Sequence, residues 1–242
     1  MFKQLVELLF PSSLYCISCG SLIDGSRPYA LCDGCMRSFQ WTNGRVCDKC
    51  GKKLQDTYLH DVCNDCRESE HSFTKGYACV QYGIHEREML LSFKYGGKTF
   101  IGEKLAQIMA DRLETEELET DLIIPVPMHR KKQKKRGYNQ AEIIAVRLAK
   151  KLRVPYSGGL LLRTEYTAAM SRLTPEERRM NIENAFKVPA YARGRIAGKR
   201  ILLVDDIYTT GSTVDSCSRA LMTTGAREVR VITFATGANM IR

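Results

Sequence analysis

Two adjacent carboxylates, followed closely by hydroxyls gathered around one glycine, form the most chemically suggestive stretch of the chain: Ile201-Leu-Leu-Val-Asp205-Asp206-Ile-Tyr-Thr209-Thr210-Gly211-Ser212-Thr213. Ionised, Asp205 and Asp206 offer only acceptors, which suits the two donors of a neighbouring diol or a hydrated Mg²⁺. Thr209, Thr210, Ser212 and Thr213 supply hydroxyls, and Gly211 lets the backbone approach closely. The unspent N–H groups of a helix beginning near Ser212 attract a phosphate dianion. Diol and phosphate together describe ribose 5-phosphate. Four aliphatic residues in a row before the acids require a strand covered on both faces, the kind found in parallel α/β sheets. The same residues would serve as caps and turns in any strand–turn–helix, but such a turn has little use for two acids plus T-T-G-S-T. This segment has neither the Gly-Lys-Ser/Thr ending of a nucleoside-triphosphate loop nor the G-x-G-x-x-G of a dinucleotide site.

A second strand, Asp121 to Met128, is predicted to stop at its two prolines, which cannot donate to a ladder. Six cations then precede Gly137 within His129 to Gln140, read as a basic loop that opens a helix over 141–152. Strand, basic loop and helix repeat the phosphate-binding arrangement; composition alone suits a solvated loop or a nucleic-acid patch equally well. Further strands are expected over 76–82 and 228–235, and helices over 86–95, 101–113 and 213–224. Gly96-Gly97 and Gly225 end the first and last of these helices. This alternation predicts an α/β domain with a mainly parallel sheet over residues 73–242.

Residues 1–72 have another character. Cys16/Cys19, Cys32/Cys35, Cys47/Cys50 and Cys63/Cys66 form four C-x-x-C pairs, and twelve residues separate the pairs within each half. Two such knuckles close a tetrahedral Cys₄ Zn²⁺ site with no open position, hence structural. Sequential pairing follows the repeat, though spacing also permits an interleaved one. The segment is too poor in aliphatic residues to fold on its own core, and metal supplies the deficit. A disulfide scaffold expects a secretory leader, whereas Met1 to Phe10 is a short amphipathic stretch followed by Pro11. Redox catalysis needs one such pair, not four. Cys79 and Cys217 read as small buried hydrophobes. No apolar run approaches the roughly 18 residues of a membrane span, so a cytoplasmic protein is expected. A net charge of +10 favours anionic partners, polyphosphate or nucleic acid.

The 201–213 segment resembles the PRPP motif of type I phosphoribosyltransferases. That resemblance implies that Asp205 and Asp206 bind the ribose hydroxyls of phosphoribosyl pyrophosphate (PRPP), with Mg²⁺, and that Thr209 to Thr213 bind its 5-phosphate. The loop after the earlier strand then receives pyrophosphate, through Arg130, Arg136 and the Gly137 backbone. Further elements narrow the family: P-V-P, H-R, R-G-Y-N-Q, L-L-R-T, the spacing Arg178, Asn181, Ala185, Phe186, and Phe93-Lys-Tyr-Gly-Gly97. Together they resemble the ComF (ComFC) family of bacterial competence proteins, a double zinc ribbon on a phosphoribosyltransferase domain. The resemblance implies a PRPP-dependent transferase or, alternatively, a non-catalytic adaptor for single-stranded DNA in transformation, with a helicase-like partner. The polar stretch 164–184 resembles the flexible catalytic loop, with a capping box at Thr174–Glu177; Arg172, Arg178 and Arg179 suit a reach to pyrophosphate and the solvated face of a helix equally well. It departs from the family near Ser171, where a Gln is usual and this chain has Met170. No residue stands out as recognising an acceptor.

Overall fold

The computed structural model describes residues 14–165 and 185–238. The cysteine-rich front contains α1 (Asp33–Ser38) and α2 (Asn64–Glu68). There follow β1 (Lys75–Gln81), α3 (Ile84–Tyr95), α4 (Ile101–Leu113), β2 (Leu122–Pro125), α5 (Arg130–Arg136) and α6 (Gln140–Leu152). The remainder comprises β3 (Leu162–Arg163), β4 (Phe186–Lys187), α7 (Arg193–Ile196), β5 (Arg200–Tyr208), α8 (Ser212–Thr223) and β6 (Glu228–Thr236). Four strands form one sheet in the order β1-β6-β5-β2, and every pair is parallel. β3 and β4 pair antiparallel apart from it, at the two roots of the 165–184 segment.

The aliphatic run of β5 is buried throughout because successive side chains alternate between two covered faces. Leu202 and Val204, with Ile232 and Phe234 of β6, pack among Leu105, Met109, Ile144 and Leu148 of α4 and α6. Ile201 and Leu203, with Val229 and Val231, pack with Val214, Cys217 and Leu221 of α8. Each such side chain contributes about 1.5–3 kcal/mol on burial. Cys79 and Cys217 are fully enclosed, as expected of small hydrophobes.

One element differs from expectation. The basic run 130–136 is a two-turn helix, not a loop. Arg, Lys and Gln are strong helix formers, and both ends are capped. His129 Nδ1 accepts from the Lys131 N–H at 3.2 Å, and Gly137, at φ +90°, donates to Gln133 O at 2.7 Å. The N-terminal stretch to Phe10, Met170, Ser171, Arg172, the Thr174–Glu177 box, Arg178, Arg179 and Asn181 lie outside the described residues.

The ribbons are built onto the sheet. Trp41 bridges Val80 antiparallel, and the Thr42 and Gln81 N–H groups donate to Cys79 O and Gln40 O at 3.0 and 2.7 Å. The first ribbon thereby covers the exposed edge of β1, where unpaired backbone invites aggregation. The second ribbon touches the same strand backbone to backbone: Gly76 N–H donates to Lys49 O at 2.7 Å. A Cβ on Gly51 would lie 3.0 Å from the Tyr77 Cα, and one on Gly76 would lie 3.0 Å from the Cys50 Cα. Neither glycine tolerates a side chain. The front segment therefore buries Ile17, Leu31 and Phe39 in a core it shares with the sheet.

Candidate functional site: an acid pair in a cationic cleft

Where β2 and β5 end, a cleft of about 250 Å³ opens, lined by Asp205, Asp206, Thr213, Lys94, Tyr95, Lys132, Arg136, Asn139, Gln140 and Arg163. The carboxyl ends of neighbouring parallel strands are where α/β sheets bind ligands. Asp206 is buried, while Asp205 opens partly to the cleft and accepts from the Asp206 N–H at 2.9 Å. Burial first, and then the charge of Asp206, push the Asp205 carboxyl up to about 8. Asp206 meets a cation of the protein: Lys94 Nζ lies 2.5 Å from its Oδ2.

Beyond the acids the backbone turns at Gly211, at φ +83°, where a Cβ would overlap the Tyr208 ring beneath. Thr209 and Thr210 are exposed, and Thr210 Oγ1 and Ser212 Oγ lie 2.9 Å apart. The first bond of α8 is Asp215 N–H to Gly211 O at 2.8 Å, so the N–H groups of Ser212, Thr213 and Val214 precede the helical ladder. Of this turn Thr213 lines the cleft, whereas Thr209, Thr210, Gly211 and Ser212 precede it outside the lining, beside the positive end of the helix.

The opposite wall comes from two motifs distant in sequence. Arg136 is held by Gln140 Oε1 at 2.6 Å and Tyr95 OH at 3.1 Å, and its guanidinium lies 4.8 Å from the Tyr95 ring centroid. Tyr138 OH donates to Phe93 O, and Asn139 Nδ2 donates to Val126 O at 3.0 Å. These bonds clamp α5, α6, the end of β2 and the end of α3 around the cleft. Helical geometry splits the basic run: Lys132 and Arg136, four residues apart, line the cleft. Lys131, Lys134 and Lys135 are exposed and do not line it.

Arg130 lines an adjoining cavity of about 390 Å³, which shares Pro127, Met128, Asn139 and Arg163 with the cleft. Gly137 faces away from the cleft, and its N–H is already given to Gln133 O. What it offers the site is the left-handed turn that ends α5 behind Arg136. Arg163 stands between the two cavities, 5.4 Å over the Phe186 ring, and burial lowers its guanidinium below the usual range. Sequence reasoning assigned no role to Lys94, Tyr95, Lys132, Asn139, Gln140 or Arg163. Their signal lies in F-K-Y-G-G, R-G-Y-N-Q and L-L-R-T, whose polar members the fold turns toward the acid pair.

The eight cysteines form two quartets in sequential order, Cys16, Cys19, Cys32, Cys35 and Cys47, Cys50, Cys63, Cys66, each with its sulfurs within 4.8 Å of one another. A tetrahedron with Zn–S bonds of about 2.3 Å has edges of about 3.8 Å. Cys19 and Cys32 stand 3.8 Å apart and Cys50 and Cys63 3.6 Å, so the residues fit the ion. The halves repeat in detail. Gly20 and Gly51 both have φ +75° and donate to Cys16 O and Cys47 O at 2.9 Å. Cys32 N–H and Cys63 N–H donate to Cys16 Sγ and Cys47 Sγ at 3.4 and 3.2 Å. The quartets differ in burial. Cys19 is exposed and its thiol is lowered to about 6 by Ser21, whereas Cys47, Cys50 and Cys63 are buried.

A fully parallel sheet, an acid pair at its carboxyl edge and two four-cysteine zinc-binding sites define a phosphoribosyltransferase-type domain carrying a double zinc ribbon. Family comparison agrees: residues 5–67 match the double zinc ribbon domain and residues 101–240 the phosphoribosyl transferase domain. The chain belongs to the competence protein F (ComF/ComFC) family. It is 31% identical to competence protein F of Haemophilus influenzae over 83% of this chain and 88% of that protein. It is 24% identical to competence protein ComFC of Bacillus subtilis over 81% and 79%. Among solved structures, glutamine PRPP amidotransferase from B. subtilis overlaps 59% of this chain and 30% of that one, at 19% identity and a TM-score of 0.40. Among the described residues, no helix is long and apolar enough to cross a membrane.

Proposed function

We propose that the cleft binds PRPP with Mg²⁺ and, where an acceptor is present, transfers its ribosyl group with loss of pyrophosphate. The observation that carries this reading is the convergence of an acid pair, Thr213 at the start of α8 and a cationic wall on one cleft. Asp205 and Asp206 take the ribose diol or the water ligands of Mg²⁺. The turn from Thr209 to Thr213 takes the 5-phosphate. Arg136 and Lys132 take the pyrophosphate, with Arg130 at the adjoining cavity. Bound Mg²⁺ supplies neutralisation of pyrophosphate charge. The protein's own residues fix the sugar and offer fixed cations where negative charge collects as the C1–O bond breaks.

On this reading residues 1–72 are a structural zinc module and 73–242 the ligand-binding domain of a cytoplasmic protein. Calorimetry with PRPP and Mg²⁺ tests it. The native protein gives a saturable signal that disappears in the Asp205→Ala plus Asp206→Ala variant; no signal, or the same signal in both, refutes it.

A second reading, single-stranded DNA binding in transformation, is favoured by the row of exposed Lys131, Lys134 and Lys135 outside the cleft. It is compatible with the first. A mobility shift that is absent, or unmoved by salt, refutes it, because phosphate contacts weaken as salt rises.

A further inference from the structure

Among the described residues, Lys94 is the one lysine of the cleft in ion-pair contact with the acid pair, at 2.5 Å from Asp206 Oδ2. It ends the last turn of α3, whose Phe93 is wholly buried and whose Tyr95 braces Arg136. Both charged side chains are largely enclosed, at 19% exposure for Lys94 and 12% for Asp206. A lysine held this close occupies an oxygen that a sugar hydroxyl or a metal-bound water would need. An ammonium group has donors and no acceptors, so it competes with both kinds of ligand for the same lone pairs. The Lys94 ammonium balances the charge of Asp206. A ligand that takes Asp206 Oδ2 displaces Lys94, and the displaced ammonium needs an anion. The cleft places it on a four-carbon stem beside Lys132 and Arg136, facing the position where pyrophosphate is expected.

We infer that Lys94 is a resident cation that exchanges partners: it guards Asp206 in the empty cleft and moves to the pyrophosphate when a sugar diphosphate binds. This inference rests on the PRPP reading of the cleft. It makes Lys94 a specificity residue that favours PRPP over ribose 5-phosphate, since only the former rewards the displaced ammonium. It also makes the empty acid pair a poor site for a bare divalent cation.

The test uses zinc-loaded full-length protein and its Lys94→Met variant, with Lys94→Gln as a second variant should the first not fold. Mn²⁺ alone is titrated by paramagnetic resonance, with the Asp205→Ala plus Asp206→Ala protein as baseline for other sites. Affinities for ribose 5-phosphate and for PRPP with Mg²⁺ are measured by calorimetry. Removing Lys94 is expected to tighten Mn²⁺ about tenfold or more, leave ribose 5-phosphate binding equal or better, and weaken PRPP about tenfold or more, the size of one charge-assisted contact. Unchanged Mn²⁺ affinity, or equal losses for both sugar phosphates, overturns the inference, because a purely structural lysine moves both ligands together. If the native protein binds neither sugar phosphate, the PRPP reading fails by itself. The Mn²⁺ titration still decides whether Lys94 guards the acid pair.

Discussion

Asp205 couples binding to stability, and Asp205→Asn separates the two. In the fold its carboxyl is raised from an ordinary 3.8 to about 8, by burial first and then by Asp206. For a carboxyl raised on folding, stability is fully present below the unfolded pKa near 4 and is lost as pH rises through about 8. At about 1.4 kcal/mol per pKa unit the ceiling on that loss is about 6 kcal/mol. The carboxyl opens partly to the cleft and Lys94 lies near, so we expect about 1–3 kcal/mol to be realised. Asparagine keeps the shape and cannot ionise. The variant should therefore already melt above wild type at about pH 6, by about half the full gap, and by the full gap at about pH 9. For a chain of this size the alkaline gap should be about 3–10 °C. Zinc-loaded protein followed by circular dichroism between about pH 6 and 9 keeps the thiolate sites intact. The same variant should lose Mg²⁺-dependent PRPP binding. Equal melting temperatures at alkaline pH, or a gap that widens toward acid, would refute the reasoning.

Gly211→Ala should weaken ribose 5-phosphate binding at least about tenfold in calorimetry, because the new Cβ meets Tyr208 at a positive φ and tilts the amides. A lysine-to-glutamine triple change at 131, 134 and 135 should lower single-stranded DNA affinity and reduce the salt slope by about two, while PRPP affinity stays within about twofold. During chelation, zinc should leave the first quartet before the second, as Cys19 is exposed and Cys47, Cys50 and Cys63 are buried. Ribose 5-phosphate should slow release from the second quartet only, which metal-release kinetics with Cys19→Ser protein as reference can show.

The fold was legible wherever hydrophobic period and breakers agreed. The helix 101–113 matches its prediction, and the uninterrupted Ile201–Val204 run marked a strand covered on both sides. The equal spacing of the cysteine pairs marked the two quartets, down to their sequential order. In residues 130–136 charge density suggests a solvated loop, but helix propensity and the two caps prevail. A loop would have offered all six cations to one ligand, whereas the helix presents two to the cleft and turns three others outward. Lys94 and Arg163 were hidden for a different reason. Each meets Asp206 or Asp205 only through the tertiary fold, from segments that separately look like a helix end and a strand end. The shared core was equally invisible: nothing in the spacing of Gly51 or Gly76 announces that their backbones touch.

The attachment of a zinc module to this domain has a physical reason in the ground beneath the 209–213 turn. Thr209 and Thr210 are exposed and contribute few contacts of their own, so the turn takes its shape from Tyr208 below. Tyr208 is in turn held by the second ribbon and the chain leaving it. His71 Nε2 lies 3.4 Å from the phenol oxygen, Phe73 packs edge-on to the ring, and the Lys52 ammonium, ion-paired with Asp65, stands 5.7 Å over it. The Ser72 N–H donates at 2.5 Å to Asp215, in the first turn of α8, and the His71 ring stacks on Phe73 at 4.9 Å. Closing the second quartet thus fixes the residues that floor the turn and anchors the helix whose amides face it. If the turn binds an anion as proposed, a metal that orders this support and that anion strengthen each other's binding, by linkage. The first quartet packs on the β1 edge through Trp41 and Phe39 and meets α3 at its first turn, where the Gln40 N–H donates to Glu86 Oε1 at 3.0 Å. The two ribbons share a sequence pattern and divide the work: one closes the sheet, the other stiffens the site.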